Sequence, residues 1–151
     1  KLNAITNFSI IDKLYQASSE GVKIQMIVRG ICCLIPGIKG MSENIEVISI
    51  VDKFLEHPRV YQFDNGGSPK IYISSADFMT RNIENRVEVA VPIYDSILKQ
   101  DIQDVFEIAW NDNVKARKIN GQEQNVFVKN GEEEIRSQWK IHDYYSKKRG
   151  E

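Results

Sequence analysis

One short stretch of this sequence gathers an imidazole, several cations and a helix start. The chain holds two histidines, His57 and His142. His57 stands in Glu56-His57-Pro58-Arg59-Val60-Tyr61-Gln62-Phe63-Asp64. Imidazole titrates near neutrality, which suits a proton donor or a phosphate contact. Arg59 follows two residues later, and a guanidinium holds a phosphoryl group bidentately without losing its proton. On an extended run the two side chains share one face. Ser74-Ser75-Ala76-Asp77 stands where a strand hands over to a helix, and two hydroxyls beside exposed N–H groups suit an anion. The plain alternative is that Ser75 or Asp77 only caps that helix. Arg81, Asn82 and Arg86 either extend the cationic surface or form a solvated face. Arg29-Gly30 ends another strand-like run, the place where open α/β sheets put ligand contacts. The chemistry this set suits is phosphate handling. Against it stands the bland reading of His57 as a structural residue at a junction. His142, among Lys140, Asp143, Tyr144 and Tyr145, reads as a surface histidine.

The elements that must position these residues alternate between helix and strand. Ser9-Ile10-Ile11-Asp12 opens like a capped helix with Ser9 as N-cap, and Gly21 stops it. Val22 to Val28 alternates and then turns apolar, as a strand entering a buried sheet does. Ile45 to Ile50 is a β-branched strand, and Val51, Phe54 and Leu55 at helical spacing predict a short helix that delivers Glu56 and His57. Val60 to Phe63 and Ile71 to Ile73 form a hairpin across Asn65-Gly66-Gly67-Ser68-Pro69. That glycine pair is not a P-loop, because it lacks the Gly-Lys-Ser/Thr end and does not lead from strand to helix. Ala76 to Asn85 reads as a helix and Arg86 to Ile93 as a strand, with Pro92 suited to its end. From Asp95 to Asn111, the residues Leu98, Ile102, Val105, Phe106 and Ala109 make one helical stripe. Asn125 to Lys129 reads as a short strand, and Glu132 to Tyr145 as a surface helix with acids first and lysines last. The order implies an α/β domain with a mixed or mostly parallel sheet flanked by helices.

Bulk properties exclude several classes. A chain of 151 residues fits one domain. A formal charge of −1 provides no bulk attraction to nucleic acid, so binding of phosphate depends on local clustering. No apolar run approaches the roughly 20 residues a membrane helix needs. The first apolar stretch is broken by Asp12 and Lys13, so no signal peptide is expected. Cys32 and Cys33 are adjacent, which disfavours a disulfide, and no other cysteine offers a metal co-ligand. They read as small apolar residues in a reducing compartment. The chain opens at Lys1 without a methionine, as a processed product or a piece of something longer would.

Several stretches resemble the C-terminal part of bacterial polyphosphate kinase. They are Leu14-Tyr15-Gln16-Ala17-Ser18, Gly21-Val22-Lys23-Ile24, Val28-Arg29-Gly30-Ile31-Cys32, Pro36-Gly37 and Ser42-Glu43-Asn44-Ile45. The likeness continues in Phe54-Leu55-Glu56-His57, in Tyr72 to Asn82 with its Ser74-Ser75-Ala76-Asp77 centre, in Arg86-Val87-Glu88-Val89, in Asp112-Asn113 and in Ala116-Arg117. It spans most of the chain, in order; beyond residue 120 it is loose.

The resemblance implies one half of a phospholipase D-like fold, in which two similar halves each bring a histidine to one active site. His57-x-Arg59-x4-Asp64 has the spacing of the superfamily's His-x-Lys-x4-Asp with Arg for Lys, and Ser74-Ser75-Ala76-Asp77 replaces its Gly-Ser-x-Asn. These departures disfavour a phospholipase or nuclease. By resemblance, the phosphorylated histidine belongs to a preceding domain absent from this chain. His57 then matches the partner histidine that contacts nucleotide phosphates and acts as general acid. Arg29 matches an arginine on the transferring phosphates; Arg59, Ser74, Ser75 and Arg81 are weaker candidates for phosphate contact. The expected substrates are ATP or ADP and polyphosphate, with Mg2+ as cofactor. Metal and adenine contacts are expected in the absent part, and no metal ligand is assigned here. Residues 1–120 are expected to form the catalytic domain and 121–151 an extension packing on it. The other expectations are a cytoplasmic enzyme, at most peripheral to the inner membrane, whose partners are the preceding domains and, in the intact enzyme, further copies of itself. The fragment alone is expected to be inactive. Two alternatives remain: a phosphodiesterase half active only as a homodimer, and a non-catalytic polyanion-binding module.

Overall fold

The computed structural model describes residues 1–122, 125–131 and 133–150. Its elements are α1 (Phe8–Ser19), β1 (Ile24–Ile27), β2 (Ile45–Ile50), β3 (Val60–Phe63), β4 (Lys70–Ser74), α2 (Thr80–Glu84), β5 (Ala90–Ile93), α3 (Ser96–Trp110), β6 (Ala116–Ile119) and α4 (Ser137–Arg149). The mixed α/β class expected from the sequence is the one observed. The strands divide into two three-stranded sheets, β1-β2-β6 and β3-β4-β5. β1 runs parallel to β2 with Ile24 opposite Ile45, and β6 runs antiparallel with Ala116 opposite Ile50. The second sheet is antiparallel throughout.

β2 explains the layering of the first sheet. Alternate side chains of a strand point to opposite faces. Ile45 and Val47 join Leu2, Ile5, Ile11 and Val28 on one side, against Ile10 and Leu14 of α1. Ile48 and Ile50 join Ile27, Ala109 and Ala116 on the other, against Phe106 and Trp110 of α3. A strand buried on both faces reads as a nearly continuous β-branched run, which is what residues 45–50 are.

The two sheets meet along an extended segment, residues 2–7, for which the sequence suggested no element. On one side, Leu2 N donates to Ile27 O at 3.0 Å and Ile5 N to Ile31 O at 2.9 Å. On the other, Phe78 N donates to Ala4 O at 3.1 Å and Thr6 N to Phe78 O at 2.8 Å. Tyr61 of β3 stacks on Phe78 with ring centroids 4.8 Å apart. The segment ends at Asn7, whose side chain accepts from Ile10 N and caps α1 in place of the expected Ser9.

Other elements differ from expectation for identifiable reasons. Residues 51–59 form no helix. Pro58 disfavours helix before it, and the segment is held from outside, by a bidentate pair of hydrogen bonds donated by Arg136 to Asp52 at 2.6 and 2.8 Å and by Gln138 hydrogen-bonded to Phe54 at both N and O. The helix expected over 76–85 shrinks to α2, because Phe78 is spent on the segment at 2–7 and Met79 is its N-cap. The strand expected over 125–129 is a single antiparallel bridge, Arg117 to Phe127, with the guanidinium 3.8 Å from the ring centroid. α4 starts at Ser137, since Ile135 is bonded to Asn113 through both its N and its O. Its expected first residue, Glu132, lies outside the described residues. Its last turn carries Lys147, Lys148 and Arg149, as expected. Pro92 sits within β5, the sheet's outer edge, where a missing N–H is tolerated. The α3 stripe is buried at Ala109, but its first member, Leu98, is 53% exposed.

Asp112 ties α3, β6 and α4 together. It is fully buried, its Oδ1 accepts from the amides of Val114, Lys115 and Ala116, and its Oδ2 accepts from Ser137 N. Asp112→Ala leaves four donors without this acceptor and should cost about 3 kcal/mol. Asp112→Asn, which keeps one carbonyl acceptor, should cost less. Urea-unfolding midpoints of the two variants check the order and the size.

Candidate active site

Arg29 follows the end of β1, where the chain turns away from the sheet, and is half-buried. Its amide donates to Leu2 O at 3.2 Å, and its carbonyl accepts from the Ser49 hydroxyl at 3.1 Å. His57 lies on the irregular segment before β3 and is exposed. Arg29 Nη2 stands 3.3 Å from His57 Nδ1. A guanidinium only donates, so this bond makes Nδ1 the acceptor and puts the ring proton on Nε2. Two residues 28 positions apart thus form one unit, with an N–H free to face a ligand.

An open cleft of about 570 Å³ surrounds the pair. Arg59, Ser75, Arg81 and Arg86 also line it, as does Glu88. The sequence candidates therefore converge, but not with equal freedom. Arg59 is largely buried and bonded twice: Nη2 to Asp77 Oδ2 at 2.8 Å and Nη1 to His57 O at 3.2 Å. Ser74 is not part of the cleft lining. Its hydroxyl donates to Val89 O and accepts from Ala76 N, both at 3.1 Å. The Ser75 hydroxyl donates to the Glu88 carboxylate and accepts from Val89 N at 3.0 Å. Arg81 is exposed and makes no side-chain hydrogen bond or ion pair among the described residues. Arg29, Arg81 and Arg86 are thus the cations with capacity left for an anion. Asp64 is not at the cleft; it accepts from Gly67 N within the hairpin turn, where Asn65, Gly66 and Gly67 all take positive φ. His142 pairs with its neighbour Asp143 at 3.5 Å on the exposed side of α4.

Asp77 caps no helix. It is 5% exposed, and its Oδ1 accepts from Asn3 N at 2.6 Å and Ala4 N at 3.3 Å while Oδ2 takes Arg59. Burial alone raises its pKa, but the Arg59 and backbone hydrogen bonds outweigh burial and hold the carboxyl below its ordinary value. Tyr61 donates to Ala76 O, and its hydroxyl pKa is pushed up to about 12 by burial and by the Asp77 charge. Glu88 is held below its ordinary value by hydrogen bonds from Ser75 and from Asn82, the latter at 2.6 Å. Sequence reading passed over Glu88 and the backbone at Asn3 and Ala4. Only the spacing Ser75-x12-Glu88, across β4 and β5, hints at the first.

No group of three or more His, Cys, Asp or Glu side chains is placed to hold a metal ion among the described residues. Mg2+ demands an octahedron of oxygens, and the cleft's two carboxylates do not build one, Asp77 being taken by Arg59 and the backbone and Glu88 by Ser75 and Asn82. This chain's residues do not by themselves fit a magnesium site. No helix of the described residues is long and apolar enough to cross a membrane.

The depressed Asp77 carboxyl sets a pH signature. A carboxylate with a lowered folded-state pKa stabilises the fold above its unfolded pKa, and that contribution disappears as pH falls through the folded value. Asp77→Asn should therefore flatten the loss of thermal stability in acid below about pH 4. Melting temperatures across that window, variant against parent, check this; equal slopes would mean Asp77 contributes no such linkage.

The polyphosphate kinase C-terminal domain 2 model matches residues 1–138. Polyphosphate kinase of Vibrio vulnificus strain YJ016 is 53% identical over 145 residues, 95% of this chain and 21% of that protein. That of Escherichia coli K12 is 50% identical over the same shares. A crystal structure of polyphosphate kinase from Porphyromonas gingivalis superposes with a TM-score of 0.95 at 43% identity, over 97% of this chain and 23% of that one. The chain spans about a fifth of the length of the curated relatives it matches.

Proposed function

Because this chain belongs to the polyphosphate kinase C-terminal domain 2 family, we propose that it serves the reversible transfer of the terminal phosphate of ATP to polyphosphate. In this reading a histidine of a preceding domain takes the phosphoryl group, and this segment faces it. Residues 121–151 act as an extension of the same unit, and the enzyme works in the cytoplasm. The isolated segment, lacking the nucleophile, does not turn over.

His57 and Arg29 divide the work. Breaking the bond between the terminal phosphorus and its bridging oxygen leaves charge on the departing ADP. His57 gives a proton from Nε2 to that oxygen as a general acid does, acting from the imidazolium form that the ring takes once Nδ1 has released Arg29 and picked up a proton. Arg29, released from Nδ1, neutralises charge spreading over the equatorial oxygens. Arg81 and Arg86 receive further phosphates of the nucleotide or polymer. Mg2+ would be held by residues outside this chain, where it would screen phosphate charge. Support rests above all on one observation, the 3.3 Å pairing of Arg29 with His57 Nδ1 in an arginine-lined cleft.

Two measurements on a full-length enzyme carrying this segment test the assignment. His57→Ala should lower turnover by about 10²–10⁴-fold, and His57→Gln should not restore it, since an amide cannot deliver a proton near neutrality. With γ-labelled ATP, acid-labile label should map to a peptide other than that of His57; label on the His57 peptide would reverse the roles. Arg29→Ala should cost about 2–4 kcal/mol in transition-state stabilisation, with only part returned by Arg29→Lys. An Arg29→Ala enzyme with parental kcat/KM would reduce Arg29 to a surface residue.

A further inference from the structure

Taking the proposed roles of His57 and Arg29 as its basis, we infer that Asp77 is the positioning residue that sets their separation. The two sit on different parts of the fold, Arg29 beyond β1 and His57 ahead of β3, and no regular element joins them. Asp77 is tied to both. Through Oδ2 it holds Arg59, whose other nitrogen holds the carbonyl of His57 at 3.2 Å. Through Oδ1 it holds the amides of Asn3 and Ala4. Asn3 O in turn accepts from Gly30 N at 2.8 Å, directly beside Arg29. The backbones come so close there that a Cβ on Gly30 would stand 3.1 Å from Asn3 O. Each arm is only two hydrogen bonds long.

The arms are stiff for physical reasons. Asp77 is buried, and so are Asn3 and Ala4. The Arg59 side chain is 14% exposed, so its fork is held by packing as well as by its bonds. Tyr61 pins the neighbouring carbonyl of Ala76 and stacks on Phe78, so the chain is held on both sides of Asp77. Asp77 lies among the residues around the cleft, yet both its oxygens are spent on protein donors. Its effect on transfer therefore passes through the Arg29–His57 geometry. A reacting group displaced by about 1 Å loses on the order of 10²-fold in rate.

Kinetics of a full-length enzyme carrying this segment test the inference. Asp77→Asn keeps the shape and an acceptor for Asn3 and Ala4 but weakens the hold on Arg59. Arg59→Lys keeps the charge opposite Asp77 but loses the fork that also reaches His57 O. Each should lower kcat by about 10–100-fold, with KM for ATP within about threefold. Placed on a His57→Ala background, each should cost less than about twofold more, because residues acting through one group do not add. Losses that multiply on that background would overturn the inference while leaving the role of His57 intact. A raised KM at parental kcat would overturn it too, as would an Arg59→Lys enzyme with parental kinetics. If Asp77→Asn does not fold, Arg59→Lys decides by the same criteria. A His57→Ala enzyme with parental turnover would remove the proposed function and this inference together.

Discussion

Everything in this fold that brings chemistry together depends on six residues of extended chain. Residues 2–7 bond to the end of β1 on one side and to Phe78 on the other. Leu2, Ala4 and Ile5 are buried there, and Asn3 and Asn7 with them. Without this segment the two sheets would share no ladder, since neither contributes a strand to the other. Buried backbone groups must find partners, and a single extended segment supplies them to both neighbours at once. The apolar side chains it carries, Leu2 and Ile5, complete the core above β1 and β2.

The candidate site is a product of that seam. The first sheet contributes Arg29, the approach to the second contributes His57, and the seam determines how far apart they stand. The cleft is lined by a mixture of spent and unspent charge. Arg59 and Glu88 are paired inside the protein, whereas Arg29, Arg81 and Arg86 keep donors for a ligand. Buried ion pairs of the Arg59–Asp77 kind contribute little net stability, because desolvation offsets most of the attraction. Their value here is geometric.

Much of this was legible in the residues, and the failures share a cause. β2 was read to its ends because a strand buried on both faces has a continuous β-branched signature. α3 was read from a stripe at helical spacing, capped by Asp95. His57, Arg29, Ser75 and Arg81 were singled out by type and spacing, and they do share one cleft. What could not be read locally was whatever is held by distant partners. Residues 51–55 carry helical spacing, yet Arg136 and Gln138, more than 80 positions away, hold them in an irregular, non-helical course. Asp77 looked like a cap, since an Asp at a strand–helix junction usually is one. Its partners Asn3 and Ala4 lie over seventy positions upstream, and nothing in their types announces the bond. Arg59 likewise has the type of a phosphate ligand, but its neighbour in space has already taken its fork.

The cleft is open to solvent, and His57 stands at its exposed side. An acid that gives up its proton at each turn must be reloaded before the next. Enclosed sites need a relay of side chains or ordered waters for that purpose. In this chain the imidazole's face is the exposed one, and on the proposed reading it is also the face turned to the preceding domain, so the proton that recharges the imidazole travels by way of that junction.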